Sequence, residues 1–123
     1  MAHKILVVDD DRINIALVKF TLAEQRYDVV VAFDGDDGLE QVKKESPDLI
    51  ILDVQMPRMN GYDFMTELKQ RQGTQLTPVL MLTANETMQD VFKLEGVKGY
   101  FVKPVDQQKL RAAIIQCLGP NPF

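Results

Sequence analysis

Five short apolar runs recur along the chain, each followed by a longer amphipathic stretch, and no other feature limits the fold as much. The runs are 4–8 (KILVV), 29–32 (VVVA), 49–52 (LIIL), 79–82 (VLML) and 100–102 (YFV). Several are nearly continuous Val, Ile and Leu, the composition of strands buried on both faces. Between them the spacing predicts helices over 14–26, 36–45, 61–71, 86–94 and 106–118. Turn residues agree: Ser46-Pro47-Asp48 precedes the third run, Thr77-Pro78 the fourth, and Gly119-Pro120 stops the last helix. Five strand–helix units in sequence require a doubly wound α/β fold, a five-stranded parallel sheet with five helices on its two faces.

In such sheets ligands bind beyond the carboxyl ends of the strands. The residues found there are Asp9, Asp10 and Asp11 after the first run, Asp53 after the third, Thr83 after the fourth, and Lys103-Pro104 after the fifth. Phe33-Asp34-Gly35, after the second, reads as a turn. Converging carboxylates repel one another and raise each other's pKa unless a cation joins them. All-oxygen ligands with few carboxylates favour Mg²⁺, which keeps waters and binds phosphate oxygens. An Asp carboxylate is also a nucleophile toward phosphorus. Lys103 and the Thr83 hydroxyl are suited to neutralising the transferred oxygens.

Each residue also has a plainer reading. Asp9, Asp10 and Asp11 could cap the first helix, Asp11 above all. Asp53 could form a turn, Thr83 could be an ordinary strand residue, and Lys103 a solvated surface lysine. Tyr100 and Phe101 alternate across a strand, so they face opposite sides.

The composition removes other classes. At 123 residues the chain is sized for a single domain over 1–123. A net charge of −4 with dispersed Lys and Arg argues against direct nucleic acid binding. No apolar run approaches the ~18 residues of a membrane span, and no secretory signal is visible. A single cysteine, Cys117, fits a reducing compartment, so a cytoplasmic location is expected.

The chain resembles the receiver domains of two-component response regulators, the CheY-like family, over essentially its whole length. The resemblance is carried by Ile5-Leu6-Val7-Val8-Asp9-Asp10, Leu49-Ile50-Ile51-Leu52-Asp53, Met56-Pro57-Arg58-Met59-Asn60-Gly61, Thr83-Ala84 and Tyr100-Phe101-Val102-Lys103-Pro104. It implies a flavodoxin-like strand order of 2-1-3-4-5 and a single receiver domain without an output domain in this chain. Asp53 would be the phosphoacceptor, and Asp9, Asp10, Asp53 and the backbone carbonyl of Gln55 would hold Mg²⁺. Lys103 would pair with the phosphoryl group, Thr83 would hydrogen-bond to it, and Tyr100 would change rotamer as Thr83 moves. The Lys103–Pro104 bond would be cis.

The implied function is a phosphorelay switch rather than an enzyme. A sensor histidine kinase or phosphotransfer protein would phosphorylate Asp53, and self-catalysed dephosphorylation would reset it. The surface of the fourth predicted helix, the fifth strand and the last helix would then engage an output protein, the chain being a monomer or weak dimer. Two other readings compete: an Asp-nucleophile phosphohydrolase and a pseudo-receiver that binds without being phosphorylated. The first lacks an acid two residues after Asp53, where Gln55 stands. The family spacing is also departed from, since Lys103 stands only 20 positions after Thr83 and the shortfall falls before Gly96. Gln55 and Asn85 occupy the two positions that tune phosphoryl lifetime in the family.

Overall fold

The computed structural model describes residues 2–84 and 96–122. Five strands, β1 (Lys4–Val8), β2 (Asp28–Ala32), β3 (Leu49–Asp53), β4 (Val79–Thr83) and β5 (Val97–Val102), form one sheet of order β2-β1-β3-β4-β5. All four pairings are parallel. Four helices are described: α1 (Arg12–Glu24), α2 (Gly35–Glu45), α3 (Gly61–Gln72) and α4 (Gln107–Leu118). The helix expected over 86–94 lies outside the described residues, so the last of the five predicted helices is α4 here.

Strand alternation divides the core in two. Leu6, Val8, Ile50, Leu52 and Met81 pack with Leu39 and Val42 of α2 and with Phe64, Met65 and Leu68 of α3. Ile5, Val7, Leu49, Ile51, Leu80 and Leu82 point the other way, onto Ile15, Val18 and Leu22 of α1 and Leu110 and Ile114 of α4. Every residue of β3 and β4 is buried, which is why those runs carry no polar alternation. Tyr100 packs on the first of these faces and Phe101 on the second, as their alternation requires.

Several boundaries differ from the sequence reading, each for a local reason. Helix α1 begins at Arg12, two residues early, because the Asp11 side chain accepts from the amides of Ile13 and Asn14 and caps it. Asp34, read as part of a turn, caps α2 through the Asp37 amide. Asp106, read as the first residue of the last helix, is its N-cap instead. Strand β5 begins at Val97, three residues early, with a register irregularity between Val79 and Leu80 of its neighbour. The Lys103–Pro104 peptide is cis.

Gly61, which opens α3, lies hard against the end of β3. A Cβ there would stand 2.9 Å from the Val54 Cα and 3.3 Å from the Asp53 carbonyl oxygen. Its amide also donates to the Val54 carbonyl at 2.8 Å. Because the obstacle is backbone, Gly61→Ala is expected to lower stability by about 1–3 kcal/mol. Urea unfolding measures this, and a variant as stable as the parent would show that α3 can withdraw freely.

Candidate functional site

The tips of β1, β3, β4 and β5 open on the same edge of the sheet and place the polar residues that end them side by side. Asp53 is the last residue of β3, Thr83 the last of β4, and Asp9 and Lys103 directly follow β1 and β5. Asp9, Asp53 and Thr83 are buried, whereas Asp10 is exposed at the mouth. One carboxylate oxygen each of Asp9, Asp10 and Asp53 lies within 4.8 Å of the others. That span suits a single divalent cation with oxygen ligands and room for water.

Asp9 is held from three directions. Its Oδ1 accepts the Asp11 amide at 2.9 Å, while Oδ2 accepts the Asn14 side-chain amide at 2.7 Å and lies 2.9 Å from the Lys103 ammonium. Lys103 also reaches Asp53 Oδ2 at 3.4 Å, bridging two buried carboxylates. Asp53 Oδ1 accepts the Gln55 backbone amide at 3.3 Å. The backbone of Lys103 donates to the Thr83 carbonyl at 2.7 Å, closing the tips of β4 and β5 on each other.

Burial pushes the Asp53 carboxyl up to about 7, and the neighbouring Asp9 charge adds to this; Lys103 and the Gln55 amide oppose it. For Lys103, burial alone would lower the pKa, but Asp9 and Asp53 together outweigh it and the net direction is upward. The site is therefore rich in negative charge that a single lysine only partly offsets. That is the electrostatic profile of a cation site.

Of the residues singled out in the sequence, Asp9, Asp10, Asp53 and Lys103 come together within ion-pair or ligand distance. Thr83 sits at the adjoining strand end, fully buried. Gln55 is exposed and enters through its amide. Tyr100 lies half-buried on β5, opposite Met81. Asn85 lies outside the described residues. Two features went unread in the sequence. Asn14 is one, and its signal was present: residues 14, 18 and 22 share the buried side of α1, and a polar group heading an apolar stripe needs a partner. The other is the rim, where Arg58 pairs with Asp34 at 3.2 Å and the Arg12 guanidinium lies 4.1 Å over the Phe33 ring.

The family pattern of the response regulator receiver domain matches residues 5–115. The alkaline phosphatase synthesis transcriptional regulatory protein PhoP of Bacillus subtilis (strain 168) is 38% identical over 93% of this chain. The Regulator of RpoS of Escherichia coli (strain K12) is also 38% identical, over 100% of this chain. The chain spans only 48% and 37% of those two proteins. Among solved structures, chemotaxis protein CheY4 of Vibrio cholerae superposes with a TM-score of 0.86 at 32% identity, covering 96% of this chain and 100% of that one. A receiver domain protein from Clostridium thermocellum gives 0.83 at 30% identity, covering 94% of each. With the family's pattern spanning nearly the whole sequence and the CheY4 fold matched over 96% of it, the chain belongs to the response regulator receiver domains.

Proposed function

We propose that this chain is a phosphorylation-controlled signalling switch whose phosphoacceptor is Asp53. The observation that carries the reading is the meeting of Asp9, Asp10 and Asp53 within 4.8 Å, with Lys103 joined to two of them. The donor is the phosphohistidine of a sensor kinase or a phosphotransfer protein. A carboxylate oxygen of Asp53 attacks phosphorus, the P–N bond to imidazole breaks, and the imidazole leaves with its electron pair and takes up a proton. An acyl phosphate results.

Asp9, Asp10, Asp53 and the Gln55 carbonyl are the groups that would hold Mg²⁺. When bound, Mg²⁺ supplies positive charge against the oxygens of the transferred group. The Lys103 ammonium contributes more of that charge and holds Asp53 in reach. The Thr83 hydroxyl donates to a phosphoryl oxygen. The new group carries a charge of roughly −1.5 to −2, and drawing Thr83 toward it frees space for Tyr100 to turn. The change is then read at the surface of β5 and α4 and the segment before β5 by an output protein. Transfer and loss of the phosphoryl group are self-catalysed steps of a switch, not turnover of a substrate. No helix among the described residues is long and apolar enough to cross a membrane, and we place the switch in the cytoplasm.

Incubation with acetyl phosphate and Mg²⁺ is expected to give an adduct of about +80 Da, one phosphoryl group, and a chelator should prevent it. An unmodified mass under saturating conditions would instead support a pseudo-receiver, a binding module that takes no phosphate.

A further inference from the structure

We infer that Asn14 is a positioning residue: its side-chain amide fixes the Asp9 carboxylate in the orientation the cation site needs, without adding positive charge. This rests on the Mg²⁺-dependent reading above.

Asn14 is only 7% exposed, and its Nδ2 donates to Asp9 Oδ2 at 2.7 Å, the shortest of the contacts on that carboxylate. It occupies the third position of α1, after the cap Asp11. In a capping box the side chain at that position turns back to the amide of the cap residue. Here the Asp11 amide is already taken by Asp9 Oδ1. Asn14 therefore reaches past the cap to the other oxygen of the same carboxylate. Asp9 is thereby tied to α1 through both oxygens, and Lys103 approaches Oδ2 from β5.

The residue type follows from charge. With Asp9, Asp10 and Asp53 ionised and Lys103 protonated, the cluster carries a formal charge of about −2, the complement of a divalent cation. Lys or Arg at position 14 would cancel half of it. Asp or Glu would set a like charge against Asp9 in a buried place. An apolar residue would remove a donor from a carboxylate that water barely reaches. A neutral amide supplies the donor and leaves the charge intact.

The test is calorimetric titration with Mg²⁺ on the parent, Asn14→Leu, Asn14→Ala, Asp9→Asn and the Asp9→Asn/Asn14→Leu pair, with urea unfolding to verify that each is folded. Both Asn14 variants are expected to bind Mg²⁺ about tenfold more weakly, the usual cost of losing a partner that orients a metal ligand. In the Asp9→Asn background, Asn14→Leu should change the affinity less than twofold, because the group it acts through is gone. A folded Asn14 variant with parental affinity overturns the inference, as does an undiminished effect in the Asp9→Asn background. If the parent itself binds no Mg²⁺, the cation reading falls and this inference with it. If the parent binds and the variants match it, only the role of Asn14 falls.

Discussion

Asp53→Asn is expected to abolish the +80 Da adduct completely and, in metal-free protein at pH 8, to unfold at a higher urea concentration than the parent. The first effect follows from losing the nucleophilic carboxylate. The second comes from protonation. An ordinary Asp in the unfolded chain titrates near 3.9, whereas Asp53 in the folded protein is pushed up to about 7 by burial and by Asp9. Between those values the folded state holds a proton that the unfolded state has released, so parental stability falls as pH rises from about 4 to about 7. Above pH 7 the whole penalty is present; below pH 4 both states are protonated and it vanishes. Asn carries no such charge. The stabilisation at pH 8 should be on the order of 2 kcal/mol, below the full linkage value because the mouth of the site is wet. That is about 1 M in urea midpoint. At pH 4 the two proteins should nearly coincide. A variant that still acquires the adduct would show that another residue is the acceptor.

Lys103→Met should separate metal binding from phosphoryl transfer. Methionine keeps most of the length of the stem but removes the ammonium that lies 2.9 Å from Asp9 and 3.4 Å from Asp53. Two buried carboxylates then face each other without that compensation, and stability at pH 8 should fall by on the order of 3 kcal/mol. At pH 5 the loss should be much smaller, since Asp53 takes up a proton well above that pH. Mg²⁺ should bind several-fold more tightly, because a competing cation has left. Adduct formation from acetyl phosphate should nonetheless slow by about 100-fold or more, the loss expected when a preorganised charge is removed. Calorimetry, urea unfolding at both pH values and mass spectrometry read the three effects. Labelling at the parental rate would remove Lys103 from the transfer step.

The sheet could be read from the sequence because β1, β3 and β4 are buried on both sides and admit almost nothing but Val, Ile, Leu and Met. β5 was harder. Gly99 breaks its apolar run, and Gly weakens a strand prediction. In the structure Gly99 pairs with Leu80, and a Cβ there would lie 2.9 Å from Leu80 Cδ2, so a larger residue would have to displace that side chain. The start of α1 was half legible. Asp11 reads as a cap candidate and is the cap, but the amphipathic pattern begins only at Asn14, and the cap geometry is what brings Arg12 into the helix.

At the site, strand-end position was enough to find Asp9, Asp10, Asp53 and Lys103, since a parallel sheet delivers such residues to one edge. The Asn14–Asp9 contact could not be found that way. It depends on how far a side chain reaches across the first helical turn, which residue identity alone does not state. The raised pKa of Asp53 likewise depends on burial and proximity, quantities that exist only once the chain is folded.

The bond from the Lys103 amide to the Thr83 carbonyl has a consequence for how this protein can vary. It works as a crossbar, setting the gauge between two of the site's groups from below. The separation of Thr83 from Lys103 is therefore set by the pairing of β4 with β5 rather than by the chain that joins the two strands.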